Sequence, residues 1–365
     1  MKILIDIGHP AHVHYFKNFI CLMENKGHKF LIVARDKEVT HNLLNTYDLA
    51  YISRGKGRKS LLGKMLYTLK ASYLIYKLAK KWQPQIFLSF GSPYTAQVSW
   101  LLNIPNIALT DTEHAKLGLL AFVPFSATIL TPDCFYKDLG NKHIKFAGYF
   151  EMCYLLPPYY TYNDKFRKEL GLTQNDKYVL FRYIAWEASH DIGQSGISDS
   201  VKLNLIDIFL KQGYKVFISS EGKLSDGFES YRIKIAPAKI HDVLCGADFF
   251  IGESGTMATE ASILGTPSVY VNSLDAGVFQ EEVKFGLMYS FRNSANLVNE
   301  IEELLKIQNL KLIHEDRKNK LLRNKIDTTE FLIWFVENYP QSFSVIKNSS
   351  DYQYSFKIMK PSYKR

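Results

Sequence analysis

The residues best suited to chemistry form a short run late in the chain: Gly252-Glu253-Ser254-Gly255-Thr256-Met257-Ala258-Thr259-Glu260-Ala261, closed by Leu264-Gly265-Thr266-Pro267. The run joins an apolar, strand-like segment at 248–251 to a helical one at 256–264. Glycines there let the backbone come close to a bulky ligand. The free N–H groups of a helix start, with the Ser254 and Thr256 hydroxyls, make a site for phosphate. Glu260 follows Thr256 by four residues, so both fall on one helix face. A carboxylate placed there can accept from two vicinal hydroxyls, such as those of a ribose. The same residues also suit a tight strand-to-helix turn in which Ser or Thr caps the helix. Neither G-x-x-x-x-G-K-[ST] nor an N-terminal G-x-G-x-x-G is present, which disfavours a P-loop NTPase and a dinucleotide enzyme.

Other candidates stand just after strand-like runs. Arg182 ends one such run and can pair with the oxygens of a diphosphate leaving group, or hold a salt bridge instead. Ser189 follows it in a loop with Trp186, Glu187, His190, Asp191 and Gly193. Ser220 and Glu221 follow the next run, and His241 opens a short helix, where it could contact a nucleotide base or equally cap the helix. Phe279, Gln280 and Glu281 could meet sugar hydroxyls, or only pack.

Nearer the N-terminus, Gly8 leads into His9, His12 and His14. A histidine near neutral pKa can take a proton from a hydroxyl or donate to a phosphate. His12 also fits a helix-start residue packed on its own loop, and His9 and His14, taken singly, fit packing better than function. Asp111, Glu113 and His114 follow another run, as general base or ligand groups, or as helix caps. Gly91 and Ser92 form a third loop of that kind. No metal set is expected, because no carboxylate or cysteine adjoins the three histidines.

These loops need a scaffold that brings strand ends together. Lys2–Ile7 is a strand-like run, Phe16, Phe19, Ile20 and Met23 recur as a helical stripe, and 29–34 is strand-like again. That rhythm is a βαβ unit and implies a parallel sheet covered by helices. A helix over 60–82 and strands over 86–90, 106–110 and 127–131 extend it. The rhythm restarts with strands over 178–183, 215–219, 248–251 and 268–272. The expected class is α/β, with a first domain over 1–151, a linker over 152–163, a second domain over 164–327, a helix over 328–345 and a poorly ordered tail over 346–365.

The chain has 365 residues, a hydrophobic fraction of 47% and a net charge of +9. This suits two cored domains and anionic partners. No nucleic-acid motif is evident. The short run Met1–Ile7 carries Asp6 and reads as a first strand, not a signal peptide. No apolar run reaches the ~18 residues of a spanning helix. Cys21, Cys134, Cys153 and Cys245 form no C-x-x-C pair and read as buried, reduced thiols of a cytoplasmic protein. The helix over 60–82 carries Lys64, Lys70, Lys77, Lys80 and Lys81 among apolar residues. It suits either a bilayer surface or an ordinary solvated helix face.

The stretch Ile251–Val271 resembles the donor loop of GT-B enzymes, among them the N-acetylglucosaminyltransferase of peptidoglycan synthesis and the non-hydrolysing UDP-N-acetylglucosamine 2-epimerases. More closely, the chain resembles an uncharacterised prokaryotic GT-B-like family, domain of unknown function 354. The matching stretches are Asp6–Phe16, Thr110–Ala115, Gly148–Glu151 and Arg182 through Ala188–Asp191, within about residues 2–290. The resemblance implies two facing Rossmann-like domains with an interdomain cleft and a last helix returning to the first domain. It implies a metal-independent glycosyltransferase of cell-surface polysaccharide synthesis, without a cofactor. The nucleotide-sugar would be held by Arg182, Ser189, Ser220, Glu221, His241, Gly252, Ser254, Gly255, Thr256 and Glu260. A carbohydrate or lipid-linked acceptor would meet Gly8, His9, His14, Gly91, Ser92 and His114, with His12, Asp111 and Glu113 catalytic. A nucleotide-sugar 2-epimerase is the alternative, although the Gly-Thr-Arg-Pro-Glu loop of that enzyme is absent. A non-catalytic binder of nucleotide-sugars or polyanions is a second alternative.

Overall fold

The computed structural model describes residues 1–58, 60–184, 196–220, 222–225 and 227–358. The chain forms two compact units, one of Met1–Tyr159 with the segment from Lys325 on, the other of Tyr160–Asn324.

The first unit runs β1 (Lys2–Ile7), α1 (Pro10–Asn25), β2 (Lys29–Ala34), α2 (Thr40–Thr46), β3 (Tyr51–Ser53), α3 (Leu61–Trp82), β4 (Ile86–Phe90), α4 (Pro93–Leu102), β5 (Asn106–Leu109), α5 (Lys116–Phe122), β6 (Thr128–Pro132), β7 (His143–Phe146) and α6 (Met152–Leu155). Its strands form one parallel sheet in the order β3-β2-β1-β4-β5-β6-β7. Ile3, Leu4, Ile5 and Ile7 are all fully buried, as a central parallel strand covered on both faces requires. Strand order reverses between β1 and β4, so the loops after those two strands flank a crevice of the kind where open α/β sheets hold ligands. Ile75 and Ala79 of α3 share a core with Val98 of α4, and Ala96 of α4 shares another with Leu119 and Phe122 of α5. These three helices therefore cover one sheet face.

The second unit contains α7 (Phe166–Glu169), β8 (Tyr178–Tyr183), α8 (Asp199–Lys211), β9 (Lys215–Ser220), α9 (Ile240–Gly246), β10 (Phe249–Gly252), α10 (Gly255–Leu264), β11 (Ser268–Val271), α11 (Gly277–Lys284), β12 (Met288–Phe291), α12 (Leu297–Leu305) and α13 (Leu310–Leu322). The sheet is again parallel, in the order β12-β11-β10-β8-β9. Val179, Phe181, Phe209, Ile251, Val269 and Ile301 form its core. Its reversal lies between β8 and β10, whose exits are Ile184 and the Glu253–Ser254 turn. Two parallel sheets, each flanked by helices, agree with the GT-B-like class read from the sequence.

The chain then returns to the first unit. Asp327 caps α14 (Thr328–Glu337) by accepting from Glu330 N–H, and α14 packs on α1. α15 (Gln341–Asn348) follows. Three expectations are corrected here. Residues 152–155, assigned to a linker, form α6, whose apolar side chains are buried against α1 and α14. Residues 350–356, assigned to a poorly ordered tail, are packed: Gln353 Oε1 accepts Ala147 N–H at 2.7 Å, and Trp334 meets the rings of Tyr352 and Phe356 at 4.9 and 5.3 Å. Cys21 is exposed on the outward face of α1, Cys134 and Cys245 are half-buried, and only Cys153 is fully buried.

Candidate functional site

At the β8/β10 reversal, strand register sets Arg182 between Gly252 and Ser219. Arg182 Nη1 donates to Ser219 Oγ at 2.9 Å. A Cβ on Gly252 would stand 2.9 Å from the Arg182 Cβ and carbonyl oxygen, so glycine is required for the strands to close. A Cβ on Gly255 would overlap the Phe279 ring. Both glycines thus serve packing within the protein before any ligand is considered. Ser254 is the N-cap of α10, its Oγ accepting Met257 N–H at 3.5 Å. Residues 254–257 remain partly exposed. The N–H groups of a helix's first turn have no carbonyl partner within the helix, so this turn offers donors and positive potential to an anion.

One turn on, Glu260 is buried, and its Oε1 lies 3.1 Å from Nε2 of His241 on α9. Two residues given separate tasks in the sequence are thus one buried pair. Ser220 Oγ accepts Gly222 N–H at 3.3 Å. Ser189 and Glu221, with Trp186, Glu187, His190, Asp191 and Gly193, lie outside the described residues.

Glu253 has a role the sequence did not reveal. Its buried carboxylate accepts Ile184 N–H at 3.0 Å and Ile197 N–H at 2.7 Å. Its backbone bonds Arg182 O through N–H at 3.0 Å, and its carbonyl accepts from Asn272 Nδ2 at 3.0 Å. Glu253 therefore ties the exits of β8, β10 and β11 to the start of the α8 segment. Glu253→Ala orphans two N–H donors and is expected to lower stability by about 2–4 kcal/mol, read by urea unfolding. Beside this turn, a cavity of about 280 Å³ opens at the ends of β11 and β12, lined in part by Asn272, Asp275, Phe279, Gln280 and Arg292. Phe279 forms a wall of this cavity and also closes on Gly255.

At the β1/β4 reversal of the first unit, Gly8 N–H donates to His12 Nδ1 at 3.2 Å. This bond fixes the neutral imidazole with its proton on Nε2. Burial holds the His12 pKa well below its ordinary value, helped by the neighbouring charges of His9, Lys37 and Arg54. The ring leans on Phe90 at 4.7 Å. His9 caps α1, its Nδ1 accepting Ala11 N–H at 3.2 Å. His14 is buried, stacked on Tyr154 at 5.1 Å. The three clustered histidines are therefore dispersed: one cap, one ring at the reversal and one in the core.

The reversal itself is spanned by a buried network. Arg54 Nε donates to Asp6 Oδ1 at 2.8 Å, Ser92 Oγ donates to Asp6 Oδ2 at 2.6 Å, and Arg54 also bonds the Tyr67 hydroxyl. Ser92 Oγ additionally accepts Thr95 N–H as the cap of α4. Gly91 has φ +56 and lies against Phe122.

After β5, burial pushes Asp111 up to about 6, opposed by the Thr112 hydroxyl that donates to it at 2.9 Å. Glu113 is buried; its Oε1 accepts Tyr136 N–H at 3.4 Å, and its carbonyl accepts from Lys137 Nζ at 2.6 Å. His114 is exposed.

A family model described as "Protein of unknown function (DUF354)" matches residues 1–341. The chain belongs to this family. A curated relative of this DUF354 chain is "Uncharacterized protein MJ0665" of Methanocaldococcus jannaschii, 26% identical over 320 residues that cover 84% of this chain and 92% of the relative. Three solved structures share the fold. The S. aureus MnaA-UDP co-structure is 11% identical, with TM-score 0.70 over 94% of this chain and 98% of that one. The UDP-GlcNAc 2-epimerase of Neisseria meningitidis bound to UDP-GlcNAc is 12% identical, with TM-score 0.65 over 86% and 94%. The glycotransferase of kitacinnamycin is 11% identical, with TM-score 0.62 over 92% and 98%. The DUF354 chain thus shares the GT-B-like fold of these three structures. Among its described residues no helix is long and apolar enough to cross a membrane.

In this DUF354 chain, parallel topology gathers Gly8, His9, His12, Gly91, Ser92 and Asp111 along one sheet edge, and Arg182, Ser220, Gly252, Ser254, Gly255 and Thr256 along the other sheet's edge. It withdraws His14 and Glu113 into packing. Asp6, Arg54, Glu253 and Asn272 were missed as parts of these edges. A charged Asp6 following the apolar run at residues 3–5 of β1 was the available signal.

Proposed function

We propose that this protein is a metal-independent glycosyltransferase that moves a sugar from a nucleotide-sugar to a carbohydrate or lipid-linked acceptor, at the cytoplasmic face of the membrane and in cell-surface polysaccharide synthesis. The second unit is the donor unit and the first the acceptor unit. The observation that carries this reading is the α10 start: a partly exposed, Ser-capped helix N-terminus beside Arg182, at the reversal of a parallel sheet. Such a place favours a diphosphate. Two structures of the same fold, one with UDP and one bound to UDP-GlcNAc, support a nucleotide-sugar ligand.

In this reading an acceptor hydroxyl oxygen attacks the anomeric carbon and gives its proton to Asp111. The bond to the nucleoside diphosphate breaks with its electrons on the departing oxygen, where Arg182 and the α10 N–H groups meet the charge. His12 serves as a neutral Nε2–H donor, because its Nδ1 is occupied by Gly8 N–H. Asp111 is preferred to Glu113 as base, because Glu113 is buried against the Tyr136 backbone.

A thermal-shift screen against UDP-, GDP-, CMP- and dTDP-sugars tests the reading, with a rise in melting temperature for one class. Turnover of that donor should persist in EDTA. His12→Ala is expected to keep the donor shift while turnover falls about 100-fold or more. No shift with any donor would sink the proposal. The likeness to an epimerase structure favours a second reading, in which UDP-GlcNAc alone is converted. Incubation without acceptor separates the two, since an epimerase changes the sugar and a transferase waits.

A further inference from the structure

Helix α3 has two apolar faces, and the fold uses only one. Tyr67, Ala71, Ile75 and Ala79 form the buried stripe. Leu62, Met65, Leu66, Leu69 and Tyr73 fall at i, i+3, i+4, i+7 and i+11, a second stripe whose residues are each 59–68% exposed. On α5, Leu117 is 84% and Leu120 68% exposed. α4 packs against both helices, so α3 and α5 lie on one side of the sheet. Each of them starts from the carboxyl edge that carries Gly8, Ser92 and Asp111. Leu62 and Leu117 sit in their first turns, beside that edge, and Leu66, Leu69 and Leu120 follow within the next two turns. Soluble proteins seldom leave so many large apolar side chains bare together without a surface to bury them.

Charge selects the occupant. Neither α3 nor α5 contains an acidic residue, whereas α3 carries Lys64, Lys70, Lys77, Lys80 and Lys81 and α5 carries Lys116, all exposed. An apolar stripe on helices whose only charged residues are lysines suits acyl chains beneath anionic headgroups. A second copy of the same face would bring lysine against lysine. We propose that the α3/α5 face docks this protein on an anionic lipid bilayer, with Leu62, Met65, Leu66, Leu69, Leu117 and Leu120 entering the headgroup boundary. This deepens the proposed function by selecting a lipid-linked acceptor, and it rests on that reading only for that step.

Flotation with lipid vesicles tests it, using phosphatidylcholine alone and phosphatidylcholine mixed with phosphatidylglycerol. The wild-type protein is expected to float with the anionic vesicles and to be released by salt. Leu66→Glu/Leu69→Glu and Leu117→Glu/Leu120→Glu should each lower the bound fraction about tenfold, with unchanged circular dichroism and melting temperature. Trp100→Glu, an exposed apolar site near the far end of α4, should bind as wild type. Absence of flotation on anionic vesicles would overturn the proposal. So would equal loss in the Trp100 variant, or a wild-type dimer that Leu66→Glu turns into a monomer. Vesicle binding needs no donor, so its failure leaves the transfer reading intact, and a failed donor screen leaves the docking face intact.

Discussion

Saturating the protein with its donor nucleotide-sugar raises the melting temperature of the wild type by about 5 °C or more and that of Glu260→Ala not at all. A ligand at a hundred times its Kd adds about 2.7 kcal/mol to the folded state, and each kcal/mol moves the transition by about 2–4 °C in a large domain. The ribose hydroxyls would donate to the Glu260 carboxylate, and hydrogen bonds to a charged acceptor contribute about 1.5–3 kcal/mol each. Losing two of them removes the whole shift. The buried contact with His241 complicates the variant, since Ala leaves that imidazole without its carboxylate partner and lowers the unliganded melting temperature as well. Glu260→Gln separates the effects. Its amide oxygen can still accept from His241 while the charge that grips the ribose is gone, so the unliganded protein stays near wild type and the donor shift falls by more than half. An undiminished shift in Glu260→Ala would remove Glu260 from the site.

Asp111→Asn is expected to do two opposite things. Turnover falls about 100- to 10,000-fold, because the acceptor hydroxyl loses its base. Stability at pH 7 rises, by up to about 3 kcal/mol. The Asp111 pKa stands at about 6 in the folded protein, against 3.8 ordinarily, because burial disfavours the charge. The folded state therefore holds the proton more tightly than the unfolded chain, and wild-type stability falls as pH rises from about 4 to about 6. Asparagine carries no charge to desolvate, so the variant should match the wild type near pH 4 and exceed it above pH 6. Urea unfolding at both pH values measures this. For the wild type, kcat/KM should climb with pH and level off above about 6. A flat profile, or an asparagine variant with full turnover, would remove Asp111 from the chemistry.

Much of the scaffold was legible because parallel strands covered on both faces are written as mostly apolar runs, as in residues 3–5 of β1 and 178–181 of β8. β3, with three residues, and β7, with Lys145 exposed in its middle, lack that signature and are strands only because neighbours pair with them. The turn at 252–255 was legible as a motif, yet its glycines turned out to answer to Arg182 and Phe279, contacts that no local pattern encodes. Asp6 and Arg54 lie 48 residues apart and meet only through sheet order. Histidine spacing misled for a geometric reason: residues two apart on a helix point to nearly opposite sides, so His12 and His14 could not serve one ligand.

The return of α14 to α1 gives the first unit a delayed birth on the ribosome. Residues through Tyr159 emerge first, but the α1 surface on which α14 packs has no cover until the chain has been made through Glu337. Tyr160–Asn324 is contiguous and can close on itself first. A chain truncated before Lys325 should therefore yield a nascent N-terminal half that clings to chaperones, next to a finished C-terminal one.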